Sequence, residues 1–293
     1  MAWADLGKRV AVAGIGIPVA LALVYLGGWP LGIAMSVVAA LAAAELYDLA
    51  EKKGNRPYRW LGIAAAAGLV LLCTALPIFA QAAPWALAGI LLLTFGSLFV
   101  GLWLRDPDGS PLADASVTVA GALYVGGGIA FAVLLRELPG EMTLPTDPSP
   151  WLGAAFLIFP IAATWLGDSF AYFGGTRWGR RKLAPTISPK KTVVGGLAGL
   201  LGSVLAASIL LWIFTSFVPG WHVSPVLMLV AGLLVGITAQ VGDLAESVLK
   251  RSAGVKDSGD LIPGHGGVLD RFDALFFTLP LAYLLFWLGV VQR

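Results

Sequence analysis

Residues 225–291 read PVLMLVAGLLVGITAQVGDLAESVLKRSAGVKDSGDLIPGHGGVLDRFDALFFTLPLAYLLFWLGVV, and this stretch sets the pattern of the whole chain. Two apolar runs, 225–242 and 273–291, stand on either side of a segment that is rich in acids and bases. An apolar run of about 20 residues crosses a bilayer as a single helix. The pattern therefore predicts two membrane-spanning helices joined by a charged loop, and so much charge in an apolar chain marks a functional site.

The composition of all 293 residues predicts an all-α, polytopic integral membrane protein. Hydrophobic residues make up 58% and charged residues 12% of the chain, and the mean hydropathy is +0.85, whereas soluble domains carry roughly 25% charged residues. Apolar runs bounded by glycine, proline and charge predict about nine spans. These spans lie near 10–27, 31–50, 60–79, 85–104, 112–135, 151–173, 194–217, 225–242 and 273–291. The glycine-rich fifth span is expected to be bent or broken.

The distribution of basic residues predicts the orientation, since cytoplasmic loops are enriched in Lys and Arg. With nine spans and the N-terminus inside, all of the 19 Lys and Arg residues except Arg136 and Arg293 fall on the cytoplasmic side. The C-terminus is then outside, and the long loops 174–193 and 243–272 are both cytoplasmic. The lack of a targeting extension favours a multi-pass protein of a bacterial inner membrane, with its site facing the cytoplasm.

Two regions follow from this topology. Residues 1–135 hold five spans, and 151–293 form a catalytic region that contains both cytoplasmic loops. Lys8 and Arg9 before the first apolar run also resemble the start of a signal peptide, but the second span follows so closely that an uncleaved helix is favoured. A net charge of +2 gives no indication of a nucleic-acid partner, and with a single cysteine any metal would be held by oxygen ligands.

Three carboxylates predict a site for a divalent metal. Asp270 and Asp273 lie three residues apart where the ninth span begins, so a helix would place both on one face, and Asp243 ends the eighth span. Carboxylates this close repel one another unless a cation neutralises them, and hard oxygen ligands suit Mg²⁺. The alternative is that Asp270 caps the last helix while Asp273 pairs with a base such as Lys250.

Two segments predict contacts with phosphate groups. In PGHGG, at 263–267, glycines on both sides of a histidine allow backbone N–H groups to approach an anion closely. In SPKKT, at 188–192, hydroxyl and ammonium groups precede a helix that begins near a pair of glycines. The candidate substrate-binding residues are Ser188, Lys190, Lys191, Thr192, His265, Gly266 and Gly267. The basic run 180–182, in contrast, is explained by topology and by attraction to anionic lipid.

Acids inside spans give further candidates. Asp168 lies about two turns inside the sixth span, and a carboxylate at that depth indicates function. Asp168 is therefore also a candidate substrate-binding residue, expected to join the metal site or to hold a lysine of the following loop. Glu45 and Asp48, at the inner end of the second span, are explained instead by snorkelling or by pairing with Lys52.

The charged stretch resembles the signature of the phosphatidate cytidylyltransferases, also called CDP-diacylglycerol synthases. The residues that carry the resemblance are Ser247, Lys250, Arg251, Lys256, Asp257, Pro263, His265, Gly266, Gly267, Asp270, Arg271 and Asp273. Upstream, Asp168-Ser169, Ala171-Tyr172 and SPKKTVVGG are also similar to elements of that family. The resemblance covers the C-terminal half of the chain, whereas the N-terminal half matches as a set of apolar spans.

This resemblance implies transfer of a cytidylyl group from CTP to phosphatidic acid, with release of pyrophosphate. It implies Mg²⁺ and a monovalent cation such as K⁺ as cofactors, membrane lipids as surroundings, and a homodimer. The implied metal ligands are Asp243, Asp270 and Asp273, and the implied phosphate-binding groups are Lys190, Lys191, Lys250 and Arg251. The lipid phosphate is already an anion, so no strong general base is required.

Two other functions remain as alternatives. A CTP-dependent polyprenol kinase would share a CTP site but would attack the γ-phosphate. An ion-coupled transporter would place polar residues near the bilayer midplane, whereas the acids here gather at the inner ends of the predicted spans.

Overall fold

A computed structural model describes residues 14, 16–104, 110–142, 144, 147–261 and 266–291, and these residues are mainly helical. The helices are α1 Gly16–Leu26, α2 Gly28–Lys52, α3 Arg59–Ala75, α4 Phe79–Leu104, α5 Pro111–Gly121, α6 Gly128–Glu137, α7 Pro150–Trp178, α8 Val193–Phe217, α9 Pro225–Ser252, α10 Leu269–Phe272 and α11 Leu275–Phe286. A π-helical turn, Ala122–Gly127, joins α5 to α6, and a second one, Trp287–Val291, follows α11. A 3₁₀ turn, Leu138–Glu141, follows α6.

Two short strands interrupt the predicted all-α pattern. β1, Lys182–Ala184, and β2, Ser188–Thr192, pair in antiparallel fashion between α7 and α8. They lie within the segment that hydropathy assigned to a cytoplasmic loop. The fold is therefore helical with one small hairpin.

Seven helical stretches in the described part of the chain are long and apolar enough to cross a membrane, which identifies a polytopic membrane protein. They are Gly28–Lys52, Phe79–Leu104, Pro111–Glu141, Pro150–Trp178, Val193–Phe217, Pro225–Ser252 and Leu269–Val291. The shorter apolar helices α1 and α3 lie where the first and third spans were predicted. The total of nine spans and the orientation stay predictions. Lys8, Arg9, Arg105, Arg293 and residues 262–265 lie outside the described residues.

Two predicted loop boundaries are wrong, because the helices continue past the ends of the apolar runs. α7 extends to Trp178 rather than 173, and α9 extends to Ser252 rather than 242. Hydropathy marks where polar side chains begin, whereas a helix continues while its backbone hydrogen bonds are made. Basic residues in the last turn of α9 also favour its extension, since they complement the negative end of the helix dipole.

The fifth predicted span is irregular, as its glycines suggested. The π-helical turn Ala122–Gly127 lies at its centre. A methyl group added at Gly126 would lie 2.5 Å from the Ala66 Cα atom of α3. The glycine therefore allows two backbones to approach closely, as small residues do between membrane helices.

The chain divides into two compact units. The first comprises Met1–Leu134 with Leu249–Phe272. In this unit α2 packs against α3 and against the short helix α10. Tyr47 of α2 is fully buried and donates its hydroxyl to the Thr118 carbonyl oxygen at 2.7 Å. This packing fixes α2, which carries Glu45.

The second unit comprises Leu135–Val248 with Asp273–Arg293. In this unit the helices α7 and α8 lie close together, since a methyl group at Gly202 would lie 2.9 Å from the Leu166 carbonyl oxygen. Phe286 of α11 packs edge-on against Phe156, with ring centroids 5.1 Å apart. The predicted regions 1–135 and 151–293 were defined by motifs rather than by packing, and that division stays a prediction.

Candidate functional site

In the first unit, the Asp270 carboxylate is surrounded by donors. Its Oδ1 atom lies 2.6 Å from Lys250 Nζ, and the two side chains are only 5% and 12% exposed. Its Oδ2 atom accepts the backbone N–H groups of Ser258 at 2.8 Å and of Gly267 at 3.0 Å. A buried ion pair is tolerated when further hydrogen bonds satisfy its remaining oxygens, and that condition is met here.

Ser258 joins Asp270 to a second carboxylate. Its Oγ atom lies 2.9 Å from Asp270 Oδ2 and 2.9 Å from Glu45 Oε2. Glu45 also accepts the backbone N–H groups of Val268 at 2.9 Å and of Leu269 at 2.8 Å. We call the set Glu45, Lys250, Ser258 and Asp270 the Asp270 cluster.

The explanation of Glu45 by snorkelling or by pairing with Lys52 is therefore wrong. Glu45 is 7% exposed, and its carboxylate accepts the N–H groups of Val268, just before α10, and of Leu269, the first residue of α10. The rule that flagged Asp168, a carboxylate about two turns inside a helix, applies equally to Glu45, which precedes the end of α2 by seven residues. Asp48 does lie at the exposed helix end, but its partner is Arg59 of α3.

The glycines of PGHGG that the structure describes fit closely around these carboxylates. Gly266 has a φ of +83°, which favours glycine, and the N–H of Gly267 is bound to Asp270. A methyl group at Gly267 would lie 2.3 Å from Glu45 Oε2 and 2.2 Å from Ser258 Oγ. These contacts explain the glycines without a ligand, so phosphate binding by Gly266 and Gly267 stays a prediction. His265 lies outside the described residues.

Arg251 follows Lys250 in the last turn of α9, and it is exposed. Its Nη1 atom donates to the Val255 carbonyl oxygen at 2.8 Å. Lys250, in contrast, directs its ammonium group to Asp270. The structure thus assigns the two adjacent cations different partners, and their phosphate contacts stay predictions.

In the second unit, Lys191 of β2 forms an ion pair with Asp243 of α9. Lys191 Nζ lies 2.5 Å from Asp243 Oδ2. Asp168 of α7 lies close enough to Asp243, Asp273 and Lys191 to interact with the charges of all three. We call these four residues the Lys191 cluster. Three predicted carboxylates, one of them Asp168, and one predicted ammonium group are therefore brought together, and the roles assigned to them stay predictions.

Close packing beside this cluster positions Asp243 and Asp273. A methyl group at Gly242 would lie 2.9 Å from the Asp273 carbonyl oxygen, so the backbones beside the two aspartates almost touch. The Asp273 carboxylate accepts its neighbour's N–H, that of Ala274, at 2.6 Å in the turn after α10. Such local bonds compete with helical ones. The prediction that one continuous helix carries Asp270 and Asp273 is therefore wrong.

The SPKKT segment forms β2 and leads into α8, as its position before a helix predicted. Thr192 is buried and caps α8, because its Oγ1 atom accepts the N–H of Gly195 at 3.1 Å. Gln240, which the sequence did not flag, donates to the Gly196 carbonyl oxygen at 3.1 Å and so ties the start of α8 to α9. Ser188 is half-buried and Lys190 is exposed on the same strand. Their contacts with substrate stay predictions, as does that of Thr192.

Whether the site suits Mg²⁺ depends on the atoms that could coordinate the ion. Among the residues that the structure describes, no group of three or more His, Cys, Asp or Glu side chains is placed to hold a metal ion. The donors of the Lys191 cluster are nevertheless hard carboxylate oxygens of the kind that Mg²⁺ prefers. Three carboxylates beside one ammonium group also favour a cation electrostatically. The donor chemistry therefore fits Mg²⁺, and the ligand set Asp243, Asp270 and Asp273 stays a prediction.

Seven long apolar helices and two clusters of carboxylate and ammonium groups define the molecule as a polytopic membrane protein with polar sites. The chain belongs to the cytidylyltransferase family, whose model matches residues 7–288. It is therefore an enzyme of that family, and the resemblance seen in the sequence is confirmed.

Curated relatives match almost the whole chain. It is 37% identical over 291 residues to the phosphatidate cytidylyltransferase of Synechocystis, with 94% of each chain covered. It is 31% identical over 282 residues to the phosphatidate cytidylyltransferase of Staphylococcus aureus, with 94% of this chain and 97% of the other covered. It is 35% identical to the chloroplastic phosphatidate cytidylyltransferase 4 of Arabidopsis thaliana, of which 73% is covered.

Proposed function

We propose that this protein transfers the cytidylyl group of CTP to phosphatidic acid and so forms CDP-diacylglycerol and pyrophosphate. Family membership and relatives that carry the name phosphatidate cytidylyltransferase support this reaction. The observation that carries the proposal is the Lys191 cluster, in which an ammonium group from SPKKT is paired with Asp243, while Asp168 interacts with the charges of Lys191, Asp243 and Asp273. A site of this kind can bind both phosphate groups and a cation.

The reaction needs little acid–base chemistry. A phosphate oxygen of the lipid attacks the α-phosphorus of CTP, and the bond between that phosphorus and the oxygen leading to the β-phosphate breaks. Pyrophosphate leaves with the bonding electrons. Because the nucleophile is already an anion, the task of the protein is to bring anions together against their repulsion.

Lys191 supplies positive charge for this task. Its pairing with Asp243 holds the ammonium group in place before substrate arrives. A phosphate oxygen that takes over this contact gains a charge-assisted hydrogen bond. Lys190, on the same strand, and Lys250 with Arg251, in the last turn of α9, provide the further cations of the proposed phosphate contacts.

Mg²⁺ is the proposed cofactor, together with a monovalent cation such as K⁺. Asp243 and Asp273 of the Lys191 cluster would hold the divalent ion, with Asp270 as the third proposed ligand. When bound, Mg²⁺ would neutralise phosphate charge and assist the departure of pyrophosphate.

The proposed location is the inner (plasma) membrane, with the N-terminus and the reaction on the cytoplasmic side. The distribution of Lys and Arg supports this orientation, and aqueous CTP and a lipid headgroup can meet at that surface. A homodimer is also proposed, on the resemblance to the family alone.

Transfer of label from CTP tests the proposed function. The purified protein in mixed micelles is given phosphatidic acid, Mg²⁺ and CTP labelled at either the α- or the γ-phosphate. We expect label from the α-phosphate to enter lipid and label from the γ-phosphate to leave as pyrophosphate. In a parallel assay with a polyprenol in place of phosphatidic acid, entry of γ-label into the polyprenol would identify a kinase. The absence of labelled lipid in the phosphatidic acid assay would overturn the proposal.

A further inference from the structure

We propose that Glu45 is a positioning residue for the cytidylyl transfer, although no signature motif contains it. Its role is to hold the two ends of one segment, residues 258–259 and 267–269, against α2 and, through Ser258, to orient the Asp270 carboxylate and its partner Lys250. This inference rests on the proposed function for its effect on turnover. The anchoring itself can be measured without any substrate.

Three donors from one segment converge on the Glu45 carboxylate. Oε1 accepts the N–H of Val268, whereas Oε2 accepts the N–H of Leu269 and lies within hydrogen-bond distance of Ser258 Oγ. The partners are more than 200 residues away in sequence, with separations of 213, 223 and 224. The carboxylate therefore fastens both ends of a distant segment to α2.

The position of Asp270 depends directly on this anchor. Leu269 and Val268 immediately precede Asp270, so their hydrogen bonds to Glu45 fix the backbone from which the Asp270 side chain projects. The Ser258 hydroxyl has one proton, and its oxygen lies 2.9 Å from a carboxylate oxygen of each acid. A hydroxyl shared in this way couples the position of one carboxylate to that of the other.

Two glycines show that the segment is shaped around Glu45. A methyl group at Gly267 would lie 2.3 Å from Oε2, and one at Gly259 would lie 2.9 Å from Oε1. Side chains at these positions would push the carboxylate out of its place. The absence of a side chain at Gly259 and at Gly267 therefore leaves the space that the Glu45 carboxylate occupies.

The burial of Glu45 argues that the carboxylate is specifically needed. A carboxylate in a buried, largely apolar setting is costly unless it is well hydrogen-bonded. A role limited to filling space on α2 would be served by an apolar side chain without that cost. The buried carboxylate instead orients Asp270 and Lys250, which the proposed reaction uses.

The test compares Glu45→Gln with Asp48→Asn in the full-length protein. Gln keeps the size of Glu but has only one acceptor oxygen. In either orientation its NH₂ group therefore faces the backbone N–H of Val268 or Leu269, and two donors oppose each other. Asp48→Asn removes a carboxylate from the same helix, one turn later, where the side chain is half-exposed and pairs with Arg59. Ser258→Ala is the third variant, because it leaves both backbone hydrogen bonds to Glu45 intact.

The first measurement is amide hydrogen exchange of the peptide that contains Val268 and Leu269, without substrate. We expect exchange in Glu45→Gln to be faster by roughly tenfold, since a buried donor loses its acceptor, and exchange in Asp48→Asn to match the original protein. Melting of all variants is followed in parallel. Unchanged exchange in folded Glu45→Gln would overturn the anchoring.

The second measurement is kcat and KM for CTP. We expect kcat of Glu45→Gln to fall roughly 10- to 100-fold, as is typical when a residue that orients a reactive group is changed, with a much smaller change in KM. Ser258→Ala should also lower kcat, but its amide hydrogen exchange at Val268 and Leu269 should rise less than in Glu45→Gln. Normal kcat in Glu45→Gln would overturn the positioning role. If the original protein forms no CDP-lipid, the proposed function fails, whereas the exchange result still decides the anchoring.

Discussion

Lys191 and Asp243 form an ion pair at 2.5 Å between a strand that carries the SPKKT sequence and a membrane helix. The side chains remain 25% and 34% exposed, so a ligand can reach them. We expect an ammonium group held in this way to exchange its carboxylate partner for a phosphate group of the substrate. This relationship leads to the first prediction.

Changing Lys191 to Ala should impair CTP use. We expect at least a tenfold rise in KM for CTP or a tenfold fall in kcat/KM, because a charge-assisted hydrogen bond contributes roughly 1.5–3 kcal/mol. Steady-state kinetics in micelles measure the effect. Lys182→Ala is the matched control, since Lys182 is exposed in the neighbouring strand and is explained by topology. Equal kinetics for the two variants would show that Lys191 does not bind substrate and only contributes to the positive charge of a cytoplasmic loop.

Neutralising Asp243 or Asp273 should abolish formation of CDP-lipid. Asn keeps the size of the side chain but removes the charge that a divalent cation requires. We expect the activity of Asp243→Asn and Asp273→Asn to fall roughly a hundredfold or more, as it does when a group that stabilises the transition state is removed. Both variants should stay folded in detergent. The activity is assayed over a range of Mg²⁺ concentrations. Asp260→Asn, at an exposed loop position, serves as the control, and normal turnover by Asp273→Asn would exclude the metal role.

Breaking the Lys250–Asp270 pair should cost both stability and activity. Removing one partner of a buried pair leaves the other charge uncompensated, at a cost of about 3 kcal/mol or more. We expect Lys250→Met and Asp270→Asn each to lower the melting temperature by several degrees. The double variant should be less destabilised than the sum of the two, which a double-mutant cycle measures. Strict additivity would show that the 2.6 Å contact carries no coupling.

A methyl group at Gly267 should disturb the Asp270 cluster. It would lie 2.2 Å from Ser258 Oγ and 2.3 Å from Glu45 Oε2, so the segment must shift. We expect Gly267→Ala to lower stability by about 1–3 kcal/mol and to reduce kcat. Gly89→Ala is a suitable control, because no atom lies within 4 Å of the added methyl group in α4. Thermal melting and turnover of the two variants give the comparison.

Much of the candidate site could be predicted because its residues are marked by their chemistry. Asp168 was flagged as a carboxylate inside an apolar run, and Lys191 as an ammonium group before a helix start. Both features are local in sequence. The structure pairs Lys191 with Asp243 and places Asp168 within reach of the charges of Lys191, Asp243 and Asp273.

Glu45 shows where prediction from local sequence stops. Local sequence indicated snorkelling or a partner on the same helix, Lys52, which lies seven residues further along. Its actual partners are Ser258, Val268 and the first residue of α10, Leu269, and tertiary packing brings them to α2. The same is true of the Asp270 environment, whose donors come from the end of α9 and from the following loop.

By itself, the sequence determined the membrane class, the helical architecture and the family, since these follow from composition, apolar run length and a local signature. The tertiary structure decided where the helices end, that SPKKT is a strand, and which donors each buried carboxylate receives. The physical reason is that hydropathy and spacing are properties of short segments. A buried carboxylate, in contrast, is stabilised by whichever N–H, hydroxyl or ammonium groups the packed chain brings to it, and for Glu45 those groups lie more than 200 residues away.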